Sequence, residues 1–295
     1  MNHTSLEIFQ VVAEEMSVVK AARRLGRVQS NVTTRIQQLE EELNAQLFIR
    51  ENKKIRLSPQ GKKFLVYSKK ILSLAEEARQ SLHPGEPNGV LTLGSMESTA
   101  ASRLPEPLAA FSRACPGVQL RLNTGPTRQL TDKVLMSELD CALVSLPRGE
   151  NGEILCPENL NYHPLYIENL RLVLPVAMAG VKTVGNIREG QLATFAKGCT
   201  YREIAVGLLS QTSGSGESIQ IQEVNSYHAM FACVASGTAM CVLPQSVLDL
   251  LPLPGGLTIL PAGMAITQLV WRQDFSSPGF DQLLSVLQAA SDITP

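Results

Sequence analysis

The chain has 295 residues, enough for one large domain or two to three smaller ones. Hydrophobic residues make up 44% and charged residues 18%, so real cores can be buried, yet no apolar run is long enough for a transmembrane helix. The N-terminal MNHTSLEIFQVVAEE carries early acidic residues and no basic n-region, which argues against a secretory signal, and no long apolar core follows Arg23-Arg24. The net charge of −1 says less than its distribution: residues 1–83 hold 14 Lys and Arg against 9 Asp and Glu, and residues 84–295 hold 12 against 18. That asymmetry directs the front of the chain toward a polyanion. Cysteines at 115, 141, 156, 199, 233 and 241 form no Cys-x-x-Cys pair and no zinc spacing with histidine. They read as separate reduced thiols, mostly core-packed, in a cytosolic protein with no metal or cofactor.

The first predicted helix spans about 5–15, with Leu6, Phe9 and Ala13 on one face and Ile8 and Val12 beside them. Ser17 is placed to cap a second helix carrying Ala21, Ala22 and Leu25, and Gly26 to end it. A third helix runs from about 29 to 43. Its Val32, Ile36, Leu39 and Leu43 form one apolar stripe, and Ser30, Asn31, Thr34, Gln37 and Gln38 face the other way. Those short hydroxyl and amide side chains both donate and accept hydrogen bonds, where mere solubility would favour Glu and Lys. Two short helices, a tight turn and a polar reading face define a helix-turn-helix, whose second helix enters the major groove. Residues 47–57 then read as a hairpin with a basic tip, a wing suited to phosphates and the minor groove. Ser58-Pro59 opens a helix to about 82, roughly 36 Å long. Its stripe of Phe64, Ile71, Ala75, Ala78 and Leu82 needs a partner, best supplied by a second copy of the chain.

His83-Pro84-Gly85-Glu86-Pro87-Asn88-Gly89 reads as a linker, and beyond it short β-branched runs alternate with helical stretches, as in an α/β domain. The reading places a strand at 90–94, a helix capped by Ser98 and Thr99 to about 113, a strand at 118–123, a helix at 127–137 and a strand at 140–145. A second lobe follows at about 164–266, and the chain returns through Leu269-Val270-Trp271 and a last helix at 280–290. Open α/β sheets bind ligands beyond the carboxyl ends of their strands, where helix N-termini present N–H groups. Ser98-Thr99, Thr124 to Thr127, Cys199 to Arg202 and Ser226 to His228 stand at such points. Their hydroxyls and N–H groups suit an anion, with Arg202 as its partner. A redox role for Cys199 is the lesser reading for a lone cysteine.

Residues 1–61 resemble the DNA-binding region of LysR-type transcriptional regulators, through LEIFQVVAEEMSVVKAARRL, SNVTTRIQQLEEELNAQLFIR and IRLSPQG. The likeness extends over the whole chain. At the start of the recognition helix, where the family usually has Gln-Pro-Ala-Leu-Ser-Arg, this chain has Gln29-Ser30-Asn31-Val32-Thr33-Thr34, with Arg35 one step later, which alters the bases contacted. STAASRLPEPLAAF, LNTGP, GCTYR and SYHAMFACVASGTAM look like a subgroup that includes a putrescine-utilisation regulator. The resemblance implies an N-terminal winged helix-turn-helix (1–58), a dimerising linker helix (59–83), a hinge (84–89) and a two-lobed, periplasmic-binding-protein-like α/β effector domain (lobe I 90–163 and 267–295, lobe II 164–266). It implies dimers paired into tetramers, double-stranded promoter DNA as partner, RNA polymerase as a further candidate, a cytoplasmic location at the nucleoid, and action on the chain's own promoter and a divergent neighbour.

The candidate DNA contacts are Gln29, Ser30, Asn31, Thr33, Thr34 and Arg35 at bases or flanking phosphates, and Arg50, Lys53, Lys54 and Arg56 at the backbone. The candidate effector contacts are Ser98, Thr99, Thr124, Thr127, Cys199, Tyr201, Arg202 and Tyr227, for a small carboxylate or amine metabolite. Two rival classes fare worse. An enzyme would need a G-x-S-x-G elbow, a phosphate loop or H-E-x-x-H, and none is present; Gly214-Ser215-Gly216 reads as a flexible turn and the four histidines form no nucleophile–base arrangement. A plain solute-binding protein would not carry the basic helix-turn-helix.

Overall fold

The computed structural model describes the chain except for residues 52–53, 82–86, 150, 211–218, 253 and 294–295. It divides into two compact units, Met1–Pro84 with Met136–Glu138, and Gly85–Leu135 with Leu139–Pro295.

The first unit begins with α1 (His3–Glu15), α2 (Val18–Arg24) and α3 (Gln29–Glu42). Asn2 caps α1 and Ser17 caps α2 by accepting the Ser5 and Lys20 N–H groups. The turn between α2 and α3 needs a left-handed residue and finds Gly26, at φ +62°. Around it Arg27 N–H donates to Ala22 and Gly26 N–H to Arg23, the paired bonds of a Schellman ending. The far end of α3 closes in the same way on Asn44 (φ +45°), with Ala45 N–H on Glu40 and Asn44 N–H on Glu41. Both ends of α3 are therefore fixed by backbone geometry. Its Val32, Ile36 and Leu39 enter a core with Ile8, Phe9, Val12, Ala21, Leu47 and Phe48.

The wing follows as β1 (Phe48–Glu51) paired antiparallel with β2 (Lys54–Leu57). Glu40 ties it to α3, its carboxylate accepting the N–H groups of Leu47 at 2.7 Å and Phe48 at 2.9 Å. The long helix α4 runs Pro59–Ser81. Ser58 caps it through the Gly61 N–H at 2.8 Å and also donates to the Gln46 carbonyl. Gly61 has a steric reason: a Cβ there would lie 2.0 Å from the Leu47 carbonyl oxygen, which itself accepts the Ser58 N–H. The predicted stripe on α4 needs correction at its start. Phe64 turns into the helix-turn-helix core, 5.1 Å from the Phe9 ring, whereas Ile71, Ala75 and Ala78 of the stripe are exposed, with Tyr67 and Leu74 exposed beside them. Leu82 lies outside the described residues.

The second unit opens with β3 (Gly89–Ser95), α5 (Glu97–Ser102), α6 (Pro105–Ala114), β4 (Val118–Thr124), α7 (Thr127–Leu135) and β5 (Cys141–Val144). The single helix expected from Ser98 to about 113 is two, broken at Arg103-Leu104 ahead of Pro105, because proline has no N–H to donate to the carbonyl four residues back. Ser98 and Thr99 lie inside the first turn of α5; the N-cap is Met96. Next come β6 (Leu160–Leu174), β7 (Gln191–Thr194), α8 (Thr200–Ser210), β8 (Gln220–Glu223), α9 (Tyr227–Ala235), β9 (Met240–Pro244), α10 (Gln245–Leu248), β10 (Thr258–Arg272) and α11 (Pro278–Ala289). The Gly214-Ser215-Gly216 turn lies outside the described residues.

Among the described residues, eight strands form one sheet in the order β4-β3-β5-β10-β6-β9-β7-β8. β4, β3 and β5 are mutually parallel at one end, as are β9, β7 and β8 at the other. The two 15-residue strands β6 and β10 run antiparallel between them, so the two halves share a pair of crossing strands. Register shifts at Pro261/Gly263 and Thr267/Gln268 interrupt that pair. Each half is buried on both faces, and its central strand alternates between two cores. On β5, Cys141 and Leu143 join one cluster while Ala142 and Val144 join another; on β9, Met240 and Val242 divide from Cys241 and Leu243 in the same way. Beside the crossing strands, buried Glu168 binds Arg103 at 2.9 Å and Ser246 at 2.7 Å.

Gly61→Ala is expected to destabilise the helix-turn-helix unit by about 1–3 kcal/mol, since its neighbour is backbone and cannot step aside. Gly207→Ala, in open space on α8, should be neutral or slightly stabilising. Thermal unfolding of the two variants, followed separately for each unit by hydrogen exchange, checks this; equal behaviour would contradict it.

Candidate functional site

The reading helix presents one coherent polar side. Gln29, Ser30, Asn31, Thr34, Gln37 and Gln38 are exposed, while Val32, Ile36 and Leu39 behind them are buried. Arg35 is half-buried. Thr33 is half-buried too, and its hydroxyl donates to the Gln29 carbonyl at 3.0 Å, bonding the helix itself. On the wing, Arg56 is exposed. Arg50 and Lys54 sit on the paired strands, but their side chains, and Lys53 altogether, lie outside the described residues.

The start of α3 holds candidate positions that the sequence reading missed. Its N-cap is Val28, extended, with no side-chain cap. Val28 is 69% exposed and Arg27 beside it is exposed. A helix start without a capping side chain offers N–H groups to a phosphate. The legible signal was the absence of Ser, Thr, Asp or Asn at position 28.

In the second unit, six of the eight predicted effector residues line one cavity of about 290 Å³: Ser98, Thr124, Thr127, Cys199, Tyr201 and Tyr227. They come from α5, the end of β4, the starts of α7, α8 and α9, and the residue before α8. Met96, Glu97, Gly125, Pro126, Gln129, Phe195, Ala196 and Asn225 complete the wall. The Phe195 and Tyr227 rings meet edge to face at 4.9 Å. Ser98 and Tyr201 are almost wholly buried, and their oxygens have no hydrogen-bond partner; the same holds for nearby Thr267. The Ser98 and Thr267 hydroxyls lie close enough to Tyr201 to moderate its phenol without meeting hydrogen-bond geometry, and burial still pushes that phenol well above its usual range. Thr99 is buried behind this wall, also unpartnered, and does not line it. A larger cavity of about 700 Å³ shares Thr127 and is lined by both signs of charge, Arg128 and Arg148 with Asp132 and Glu203. The smaller one is the better candidate, because unsatisfied buried polar atoms converge on it.

Arg202 corrects the sequence reading. It does not line the cavity; its guanidinium donates to the Phe195 carbonyl at 2.9 Å and to Glu223 at 2.8 Å. What sequence reasoning missed is Glu97, which does line the cavity and whose Oε1 accepts the Tyr227 N–H at 3.3 Å. Burial raises its carboxyl above the ordinary value, against the lowering effects of that hydrogen bond and of His228. Nothing in the spacing marked Glu97, because a glutamate in a first helical turn is ordinary dipole chemistry.

A winged helix-turn-helix joined to a two-part α/β domain with an internal cavity defines a DNA-binding regulator governed by a small molecule. Residues 3–62 match the bacterial regulatory helix-turn-helix of the lysR family, and residues 84–292 match the LysR substrate binding domain. The chain is 37% identical over 270 residues to the HTH-type transcriptional regulator YusT of Bacillus subtilis, covering 91% of this chain and 88% of that protein. Full-length OxyR (C199D) from Pseudomonas aeruginosa superposes with a TM-score of 0.74 at 21% identity, covering 100% of this chain and 99% of that one. CbnR bound to its target DNA superposes with a TM-score of 0.67 at 18% identity, covering 99% and 100%. The chain belongs to the LysR family of transcriptional regulators: it is a DNA-binding regulator with a domain for a small-molecule effector, and not an enzyme.

Cys199 lines the cavity, and burial raises its thiol above the ordinary value, outweighing the lowering effect of the nearby Arg202 and Tyr201 N–H groups. Native protein near neutral pH should therefore be alkylated at Cys199 by iodoacetamide at least about tenfold more slowly than unfolded protein. Mass spectrometry of the labelled peptide reads this out, and equal rates would contradict it.

Proposed function

We propose that α3 reads base edges in the major groove through Gln29, Ser30, Asn31 and Thr34, with Arg35 and Thr33 at their margin. Arg27, the uncapped start of α3 and the wing residues Arg50, Lys53, Lys54 and Arg56 hold the phosphate backbone. The observation that carries this reading is the exposed amide-and-hydroxyl side of α3 over a buried apolar side. Amide and hydroxyl side chains can pair with base edges, and guanidinium and ammonium groups on the flanks can hold phosphates.

The functional divisions follow: a reading head at 1–58, a linker helix at 59–83, a hinge at 84–89 and an effector domain beyond. Lobe I is 90–163 with 267–295, and lobe II is 164–266. The register shift at Thr267/Gln268 supports a pivot between them, since a bulge lets a crossing pair bend. The effector occupies the smaller cavity. Exposed Tyr67, Ile71 and Leu74 recur on α4 at i, i+4 and i+7, which supports pairing with a second copy of α4. A dimer places two reading heads on half-sites about 34 Å or a multiple apart. Pairing of dimers, contact with RNA polymerase and a cytoplasmic location at the nucleoid complete the reading.

Three variants test it by fluorescence anisotropy on the chain's own upstream promoter region. Asn31→Ala should lose about 1–3 kcal/mol on the specific fragment and little on random DNA. Arg56→Ala should weaken both alike and flatten the salt slope by about one unit. Equal losses for Asn31→Ala on both DNAs would contradict the base-reading role. Ile71→Glu with Leu74→Glu should yield monomer in light scattering, and an unchanged assembly would contradict the pairing surface.

A further inference from the structure

We infer that the effector carries a positively charged amino group, held by Glu97 inside the smaller cavity. This rests on the reading of that cavity as the effector site.

The argument is an inventory of what the cavity still has to give. A ligand anion is held most strongly by positive charge or free N–H donors. Among the described residues no Lys, Arg or His lines the wall, and Arg202, the nearest candidate in sequence, is bound to Glu223 and the Phe195 carbonyl. Several helix-start donors are already engaged. Tyr227 N–H is taken by Glu97, Ala229 N–H by Ser226 and Arg128 N–H by the Gly198 carbonyl. The starts of α7 and α9 are thus met by the chain's own acceptors.

What remains is complementary to a cation. Glu97 is the one charged side chain among the described lining residues, and it is partly buried, which sharpens any pairing. His228 acts on it electrostatically but is exposed and does not line the wall. Ser98 and Tyr201 line the same cavity, and their buried, unpartnered hydroxyls can each accept or donate a hydrogen bond. An ammonium brings three donors and no acceptor, which suits the Glu97 carboxylate and the hydroxyl oxygens beside it. The rings of Phe195 and Tyr227 add faces that attract a cation. Glu97 also joins α5 to the start of α9, elements packed on opposite halves of the sheet. A ligand that pairs with Glu97 therefore acts on the contact between the halves.

The test uses purified full-length protein with n-butylamine, benzylamine and 4-aminobutyrate as cationic probes and butyrate and succinate as anionic ones, by thermal shift and titration calorimetry. At least one amino-bearing probe should raise the melting temperature and bind. Glu97→Gln should weaken that binding at least tenfold, and Glu97→Asp, which keeps the charge, should retain most of it. Both variants should melt within a few degrees of the parent when unliganded; if Glu97→Gln does not fold, the Asp variant and the probe ranking decide. Binding of butyrate or succinate in preference to every amine, absence of binding by all three amines, or an amine affinity indifferent to Glu97→Gln would each overturn the inference. Promoter-fragment retardation is run on the same preparation. If it fails, the regulator reading falls; if it succeeds while the amines fail, only the assignment to Glu97 falls.

Discussion

The structure depends on one helix having two incompatible sides. Val32, Ile36 and Leu39 must leave water, and burying each stabilises the unit by about 1.5–3 kcal/mol. Because that stripe is anchored, the opposite side of α3 is held outward at a fixed angle. The rest of the unit serves this constraint. Gly26 turns the chain from α2 into the helix, Asn44 closes its far end, and Glu40 binds the wing to it. Gly61 lets α4 begin against the Leu47 carbonyl. A rigid reading surface costs little ordering entropy when it meets DNA, which is why such a short segment can discriminate bases.

The effector domain uses a different device. Two long strands shared by both halves of the sheet make them one folded unit while leaving a register shift between them. Each half fills its own cores on both faces, so hydrophobic burial stabilises the halves separately. The space between them is lined by apolar Met96, Phe195 and Ala196 together with polar atoms. Unpaired buried hydroxyls cost free energy, and the cavity at Ser98 and Tyr201 keeps that cost where a ligand can remove it.

The parts of this architecture that were legible in sequence were those governed by local rules. Period 3.6 gave α3 its stripe, Ser17 and Ser58 marked helix starts, and Gly26 marked a turn. The recurrence of hydroxyl residues after successive strands brought six distant positions into one cavity. The failures came where tertiary partners decide. Arg202 had the right place in the chain but a stronger acceptor in Glu223. Phe64 had the period of a pairing stripe but a nearer core at Phe9. Glu97 looked like a routine first-turn acid, and only the fold places it opposite the start of α9. The break at Arg103-Leu104 was available from Pro105 and was overridden by the pull of a continuous helical pattern.

The central claim, that the polar side of α3 lies in the DNA groove, is tested most directly by site-specific photocrosslinking to a promoter fragment. A photoreactive residue at position 30 or 34 should crosslink to bases, and the same residue at position 63, exposed on α4, should not. Crosslinking that is equal at all three positions, or stronger at 63, would contradict the account.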